Sequence, residues 1–382
     1  MTDAHIKALS FIVFILLGII LKQKFSSKDE VNGLKKIILL LALPATIFIA
    51  LLNIELHADL LWLPLFALAF NGVLFVLTPV FLTVLGINNT AIRNTSRLLI
   101  PSLAPGLSCF PFILEFLGTP FLAKAAMADL GNKFFVLFVL YLVAITWYRK
   151  NQESAPEPLK HKLKALAKVM LLEPVNIFIL IALSFVGFGI HMENLPQFIQ
   201  QNLERLSSIM TPLVLLFIGL AVVIKKKQIA QVFSLLMLRY GFSILLIGSI
   251  AAISPFQVQD DLLLALVFGL SACSFWPFAH ISSIASKELD ITEERQTFHV
   301  DFALSILALS LPLSVLFILT IFTAKSTFVQ PVNSLIFGVI ILSLGLLLPM
   351  YNTIKLWRKL KRDAATPQDF KDLISHLFQF QK

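Results

Sequence analysis

The sequence contains little charge and almost no cysteine. Only 14% of its 382 residues are charged and two are cysteine, whereas 58% are hydrophobic. Soluble domains carry about 25% charged and about 45–50% apolar residues, so this composition excludes an ordinary soluble domain. Because Cys109 and Cys273 lie in separate apolar segments, they indicate neither a disulfide framework nor a metal knuckle.

Short nucleotide-binding and metal-binding motifs are also missing. The sequence contains no P-loop, no GxGxxG, no Cys-x-x-Cys and no His-Glu-x-x-His. Any pumping must therefore be driven by a gradient or by a separate ATPase, and we expect no cofactor and no bound metal. The net charge of +9 is spread over loops on one side of the apolar segments, so we expect no nucleic acid partner.

Apolar runs of about 20 residues recur along the chain, and each can cross the ~30 Å hydrocarbon layer of a bilayer. Strands in lipid would alternate and would need to close a barrel, so the runs predict an all-α polytopic membrane protein whose partner is the lipid bilayer. The eleven predicted spans are residues 5–22, 32–54, 60–85, 95–118, 120–147, 167–190, 207–224, 228–253, 260–286, 296–323 and 331–355.

Lysine and arginine are distributed unequally between the two sides of these spans. One side holds only Lys7, Lys124, Arg205 and Lys325. Apart from Lys133 and Arg239, which lie within spans, all the others fall on the opposite side. The positive-inside rule assigns that basic side to the cytoplasm. We therefore expect the N-terminus outside and the C-terminus inside, in a bacterial inner membrane.

A long polar loop divides the chain after five spans. Three markers recur on its two sides at similar offsets: Pro44 with Pro212, Pro111 with Pro277, and Asp129 with Asp301. Because five is odd, a second copy would enter the membrane from the opposite face, which is the inverted repeat found in secondary transporters. The predicted units are a first five-helix repeat at 1–147, a cytoplasmic linker at 148–166, a second repeat at 167–323, an extra helix at 331–357 and a tail at 358–382.

Two corresponding spans contain helix breakers in mid-membrane. The stretches are "LAPGLSCFPF" at 103–112 and "GLSACSFWPF" at 269–278. They are either proline-kinked helices repaired by serine hydroxyls or unwound segments whose freed backbone groups bind a ligand. Their recurrence in both halves favours a site. The substrate-binding candidates here are Pro105, Gly106, Ser108, Cys109, Pro111, Ser271, Ser274, Pro277 and His280.

Ionisable groups inside spans are functional candidates. Asp129 and Lys133 are one turn apart in the order that favours an ion pair. They are either a structural pair or an anion clamp or proton-coupling pair. Asp301 is a second candidate for ion or proton coupling, or a partner for Arg239. His280 is either a proton-cycling group or a hydrogen-bonded packing residue.

Two further motifs resemble the auxin efflux carrier family of membrane permeases. These are "ALPA" at Ala42–Ala45, after a short basic loop, and "DLGN" at Asp129–Asn132. The resemblance implies ten core helices in two inverted bundles, with spans four and nine unwound and crossing at the substrate site. Asn132 and Lys133 are two further substrate-binding candidates. The resemblance also implies a scaffold of spans one, two, six and seven, a homodimer, and organic anion substrates such as malonate, malate or auxin.

The sequence departs from that family at the crossing. Ala104 stands where the family has an asparagine, and His280 stands where a second asparagine follows the proline. The leading interpretation is a non-enzymatic secondary carrier of small organic anions that works by alternating access. The alternatives are a membrane-embedded enzyme, using His280, Asp301 and Cys273, and a transporter-like sensor. A predicted amphipathic helix at 366–378 would be the sensor's output or would rest on the membrane surface.

Overall fold

The described part of the chain is mostly α-helical. The computed structural model describes residues 3–25, 27–54, 58–152, 159–221, 228–253, 259–288, 292 and 295–363, and contains no strand among them. The α-helices, in chain order, are α1 Asp3–Leu21, α2 Lys28–Ile37, α3 Leu43–Leu52, α4 Leu63–Val84, α5 Thr90–Leu99, α6 Pro105–Ser108, α7 Phe110–Phe116, α8 Thr119–Phe134, α9 Leu140–Gln152, α10 Leu159–Leu172, α11 Pro174–Gly187, α12 Gln197–Ser208, α13 Met210–Ala221, α14 Ile229–Ile253, α15 Gln259–Gly269, α16 Phe275–Ala285, α17 Val300–Thr323, α18 Lys325–Phe328 and α19 Pro331–Asp363.

Two π-helical turns and two short 3₁₀ helices complete the secondary structure. The π-helical turns, Ile38–Ala42 and Phe135–Val139, join α2 to α3 and α8 to α9 into continuous rods. The 3₁₀ helices are Ala58–Trp62 and Met192–Asn194. Within the described residues, eight helices or joined helices are long and apolar enough to cross a membrane. If α10 and α11, which meet at a bend of 63°, are counted as one broken span, there are nine. The chain is therefore an integral membrane protein.

The helix starts follow from local sequence. Ser27 caps α2 in a reciprocal capping box with Glu30, and Asn89 accepts the Ile92 amide at the start of α5. Other helices begin with a proline at the first or second position, where the missing amide hydrogen is not needed. Proline opens α3, α4, α6, α7, α8 and α11 in this way. In α6 and α7 this places new helix starts inside a predicted span.

The helices pack as two bundles. The small bundle comprises α1–α3 and α11–α13, in which α1 packs on α13 and α3 packs on α11 and α12. The large bundle comprises α4–α9 and α14–α19, with α4 against α8 and α14 in contact with α4, α15, α17 and α19. The bundles meet where α3 contacts α8 and where α1 and α13 contact α17. Residues 101–112 and 270–274 lie in the large bundle.

The eleventh predicted span is packed tightly onto the large bundle. Gly241 on α14 leaves no room for a side chain, because a Cβ there would lie 2.5 Å from the Leu342 backbone. The relation is reciprocal, because Gly345 on α19 faces Leu238. The close backbone approach makes α19 part of the fold, and it continues as helix to Asp363, beyond the predicted end at 357.

The structure corrects several boundaries. The predicted linker at 148–166 is helical at both ends, because α9 runs to Gln152 and α10 begins at Leu159. Predicted span six is bent at Glu173, before the Pro174 that starts α11. Asp129 and Asp301 occupy different places in their helices, since Asp129 is deep in α8 and Asp301 is in the first turn of α17. The predicted helix at 366–378 lies outside the described residues.

Candidate functional site

Two non-helical segments meet inside the large bundle. The first broken segment, residues 100–104, lies between α5 and α6, and the second broken segment, residues 270–274, lies between α15 and α16. At the crossing, the Ala104 amide donates a hydrogen bond to the Ala272 carbonyl at 2.8 Å. Both stretches predicted to be broken are therefore interrupted. Interrupted helices leave backbone groups without intrahelical partners, and lipid cannot bind them.

Two serine hydroxyls, one in the first broken segment and one in α6, accept hydrogen bonds from the backbone of the second broken segment. The Ala272 amide donates to Ser108 Oγ and the Ser274 amide donates to Ser102 Oγ, both at 3.0 Å. Ser108 Oγ in turn donates to the Ala104 carbonyl at 2.8 Å, so one hydroxyl bridges the two segments. These bonds replace the helical ones and hold the segments in a fixed mutual register.

Helix α17 supplies two further hydroxyls to the second broken segment. The Cys273 amide donates to Ser310 Oγ at 3.2 Å, and Ser314 Oγ donates to the Leu270 carbonyl at 2.6 Å. Both serines are fully buried. Because their neighbours on α17 are apolar, they are the polar groups through which this helix holds the segment.

Asn132 on α8 pairs with both backbone polar groups of Leu103 in the first broken segment. Its Oδ1 accepts the Leu103 amide at 3.2 Å, and its Nδ2 donates to the Leu103 carbonyl at 3.0 Å. The same amide group accepts from Asn71 Nδ2 at 3.0 Å and donates to Asp129 Oδ1 at 2.8 Å. The Asn132 side chain thus acts as a substitute for the neighbouring peptide of a regular helix.

Arg239 on α14 contacts the carbonyl groups of both broken segments. Its Nη2 donates to the Ser271 carbonyl at 2.8 Å and to the Ser102 carbonyl at 3.2 Å. The guanidinium carbon lies 4.9 Å from the centre of the Tyr240 ring. The side chain is fully buried, and its Nε and Nη1 atoms have no hydrogen-bond partner. The centre of the crossing therefore carries a positive charge.

Lys133 lies in a separate buried cluster that joins the two bundles. Its Nζ is 3.5 Å from Asp129 Oδ2, 3.2 Å from Glu173 Oε2, and 3.0 Å from Asn176 Oδ1. Asn176 Nδ2 also donates to Glu173 Oε2 at 3.2 Å. The pair predicted from spacing is therefore a three-member ion cluster. It connects to the crossing through the bond between Asp129 and Asn132.

Removing the cation from this cluster is expected to destabilise the protein more than removing one carboxylate. Lys133→Met leaves two buried carboxylates without a counter-ion, at a cost of about 3 kcal/mol or more, whereas Glu173→Gln keeps the pair with Asp129. We expect the double variant Lys133→Met/Glu173→Gln to regain part of the loss. Thermal unfolding in detergent measures all three.

The matched control is the partly exposed pair between Lys124 and Asp261. Lys124→Met should cost about 1 kcal/mol or less, since solvent screens such pairs. A double variant no more stable than Lys133→Met alone would contradict the cluster as the source of the loss.

Other sequence candidates lie apart from the crossing. His280 Nε2 is 3.1 Å from the Val136 carbonyl oxygen, in the π-helical turn after α8, and its ring packs edge-on against Tyr141. Asp301 is exposed at the start of α17. The suggested pair between Asp301 and Arg239 is not among the ion pairs of the described residues, since Arg239 is buried at the crossing and Asp301 is exposed.

The remaining candidates lie close to the broken segments in the sequence. Pro105 opens α6, Pro111 opens α7 at its second position, and Pro277 lies in the first turn of α16. Gly106 is half-buried against Leu43. Cys109 is fully buried next to α7. Thus Ser108, Asn132, Ser271 and Ser274 are brought together by hydrogen bonds, whereas Lys133, His280 and Asp301 are not part of that contact set.

A cavity lies between the small bundle and helix α7. Its volume is about 520 Å³, and it is bounded by α1, α7 and the junction of α12 with α13. Lys7 Nζ donates to the Glu115 carbonyl at 2.9 Å at its edge. Its polar lining consists of Lys7, Ser10, Glu115, Ser207, Ser208 and Thr211. The cavity reaches α7, the second helix after the first broken segment.

Comparison with known proteins gives a distant relative. The chain is 27% identical over 219 residues to a protein of Methanocaldococcus jannaschii that is named an uncharacterized transporter, and the match covers 55% of this chain and 68% of the relative. No family model matches the sequence. The similarity and the helical membrane architecture together indicate a transporter.

Proposed function

We propose that the chain is a secondary carrier that moves small organic anions across the membrane by alternating access around the crossing of the two broken segments. The observation that carries this proposal is the crossing itself. Two interrupted helices meet in the large bundle, and buried serine, asparagine and arginine side chains satisfy their backbone groups. Such non-helical backbone at membrane depth is typical of the substrate sites of secondary transporters.

The small bundle serves as the scaffold in this proposal, and the large bundle moves against it. Support comes from the packing, which groups α1–α3 with α11–α13, as the resemblance to the auxin efflux carrier family implies. The cavity between α1, α7 and α13 is then a vestibule at the bundle interface. We further propose an inverted repeat of the two halves, a homodimer, and a cytoplasmic basic side.

Transport by purified protein in liposomes tests the proposal. Uptake of radiolabelled malonate, malate and indole-3-acetate is measured with a pH gradient of either direction, against protein-free liposomes. We expect at least one acid to accumulate and to exchange with unlabelled acid. Uptake equal to the protein-free control for the whole panel would reject an organic anion carrier.

The two cysteines provide an internal probe of alternating access. Cys109 and Cys273 are the whole cysteine content of the chain, and each is buried beside one break. If the bundles separate during transport, N-ethylmaleimide should label these thiols slowly, and a saturating transported acid should change the rate several-fold. The single variants Cys109→Ser and Cys273→Ser assign the signal to one thiol, and the double variant gives the background. A labelling rate unaffected by every transported acid would argue against movement at the crossing.

A further inference from the structure

Arg239 is a buried charge near the middle of the largely buried helix α14. Its side chain is 0% exposed. A charged group at this depth is costly unless it is paired, and such residues within membrane spans are usually functional. Its position therefore requires an explanation from its contacts.

The contacts leave most of the guanidinium unused. Arginine has five N–H donors, and here Nη2 makes both hydrogen bonds, one to the Ser102 carbonyl and one to the Ser271 carbonyl. Nε and Nη1 are buried without a partner. None of the ion pairs formed by the described residues involves Arg239. The charge thus has carbonyl and aromatic neighbours but no counter-ion.

Other cations near the crossing are engaged differently. Lys133 is shared between the carboxylates of Asp129 and Glu173. Lys35 on α2 lies over the ring of Phe275, 4.3 Å from its centre, at the start of α16. Arg239 is therefore the cation that binds both broken segments and also keeps free donors.

We infer that Arg239 binds the anionic group of the substrate and makes the site selective for a charged carboxylate over its neutral amide. The inference rests on the proposed carrier function. Carboxylates are favoured partners of guanidinium groups because the hydrogen bond between them is assisted by charge. A carboxylate oxygen of the substrate can accept a hydrogen bond from Nη1 while Nη2 keeps its two carbonyl bonds. Access requires the bundles to separate, which alternating access already demands.

Binding of acids and their isosteric amides to the detergent-solubilised full chain tests this inference. The probes are malonate with malonamide and indole-3-acetate with indole-3-acetamide, with the dissociation constants taken from thermal shifts. We expect the wild-type protein to bind at least one acid about 30-fold more tightly than its amide. In Arg239→Gln the ratio should fall to within about 3-fold, and in Arg239→Lys a preference for the acid should remain.

The matched control is Lys35→Gln, which removes the neighbouring cation beside the second break. It should leave the acid-to-amide ratio within about 3-fold of the wild-type value. The role of Arg239 would be overturned if Arg239→Gln kept the wild-type preference for the acid over the amide. It would also be overturned if Lys35→Gln lost that preference and Arg239→Gln did not. If Arg239→Gln does not fold, equal wild-type binding of acid and amide would still refute it. If Arg239 fails these tests but the protein transports an acid in liposomes, the carrier proposal stands without the role of Arg239. If the wild-type protein binds none of the probes, both the carrier proposal and the role of Arg239 are rejected.

Discussion

Replacing Asn132 with leucine is expected to destabilise the protein by about 3 kcal/mol or more and to abolish transport. Leucine has a similar volume but cannot form hydrogen bonds with the backbone of Leu103. The Leu103 amide and carbonyl would therefore lose their partner inside the membrane. The Nδ2 group of Asn71 would lose its acceptor as well. Each buried unsatisfied group costs about 1–3 kcal/mol, and lipid offers no replacement. Thermal unfolding and liposome uptake measure the two effects.

The matched control is Asn202→Leu on α12. Asn202 lies on the exposed side of helix α12 and donates a hydrogen bond to the Phe198 carbonyl, four residues earlier in the same helix. This variant should unfold within about 0.5 kcal/mol of the wild type, as surface substitutions usually do. If Asn132→Leu were as stable and as active as Asn202→Leu, the Asn132 amide would not be holding the first broken segment.

The position of the breaks could be predicted from the sequence because their signals are local. Pro105 and Pro111 cannot supply the amide hydrogens of a regular helix, and the matching pattern around Pro277 repeats the signal. Breakers show where a helix ends but do not show what satisfies the freed backbone. The inverted repeat, which rests on three markers, stays a prediction, and one of the three does not match in position.

The partners of the freed backbone could not be predicted, because they are distant in the chain. The sequence suggests Asp301 as a partner for Arg239, whereas Arg239 bonds the carbonyls of Ser102 and Ser271, which are 137 and 32 residues away. Ser102 and Ser310 also escaped notice, since serine in a membrane helix usually bonds its own preceding turn. A basic residue and several serines inside apolar spans were the available signals. Only the three-dimensional packing identifies which backbone groups they bind.

Substituting alanine for Gly131 is expected to force α4 and α8 apart. A Cβ at Gly131 would overlap the carbonyl oxygen of Pro64 and would lie 2.6 Å from its carbonyl carbon. The obstacle is backbone at the start of α4, so no side-chain rotation can relieve it. Overpacking in a core typically costs about 1–3 kcal/mol, and a backbone clash should fall at or above the upper end.

Gly72→Ala on the same helix pair is the matched control. Gly72 has nothing within 4 Å of its Cβ position, so alanine there should be neutral or stabilise the helix by up to about 1 kcal/mol.

The Gly131 variant should also affect the crossing, because Asn132 follows it in α8 and Asn71 precedes Gly72 in α4. Separation of the helices would lengthen the Asn71–Asn132 bond and withdraw Asn132 from Leu103. Gly131→Ala should therefore lose transport as Asn132→Leu does, and a stable variant with full uptake would show that the crossing does not depend on this helix contact.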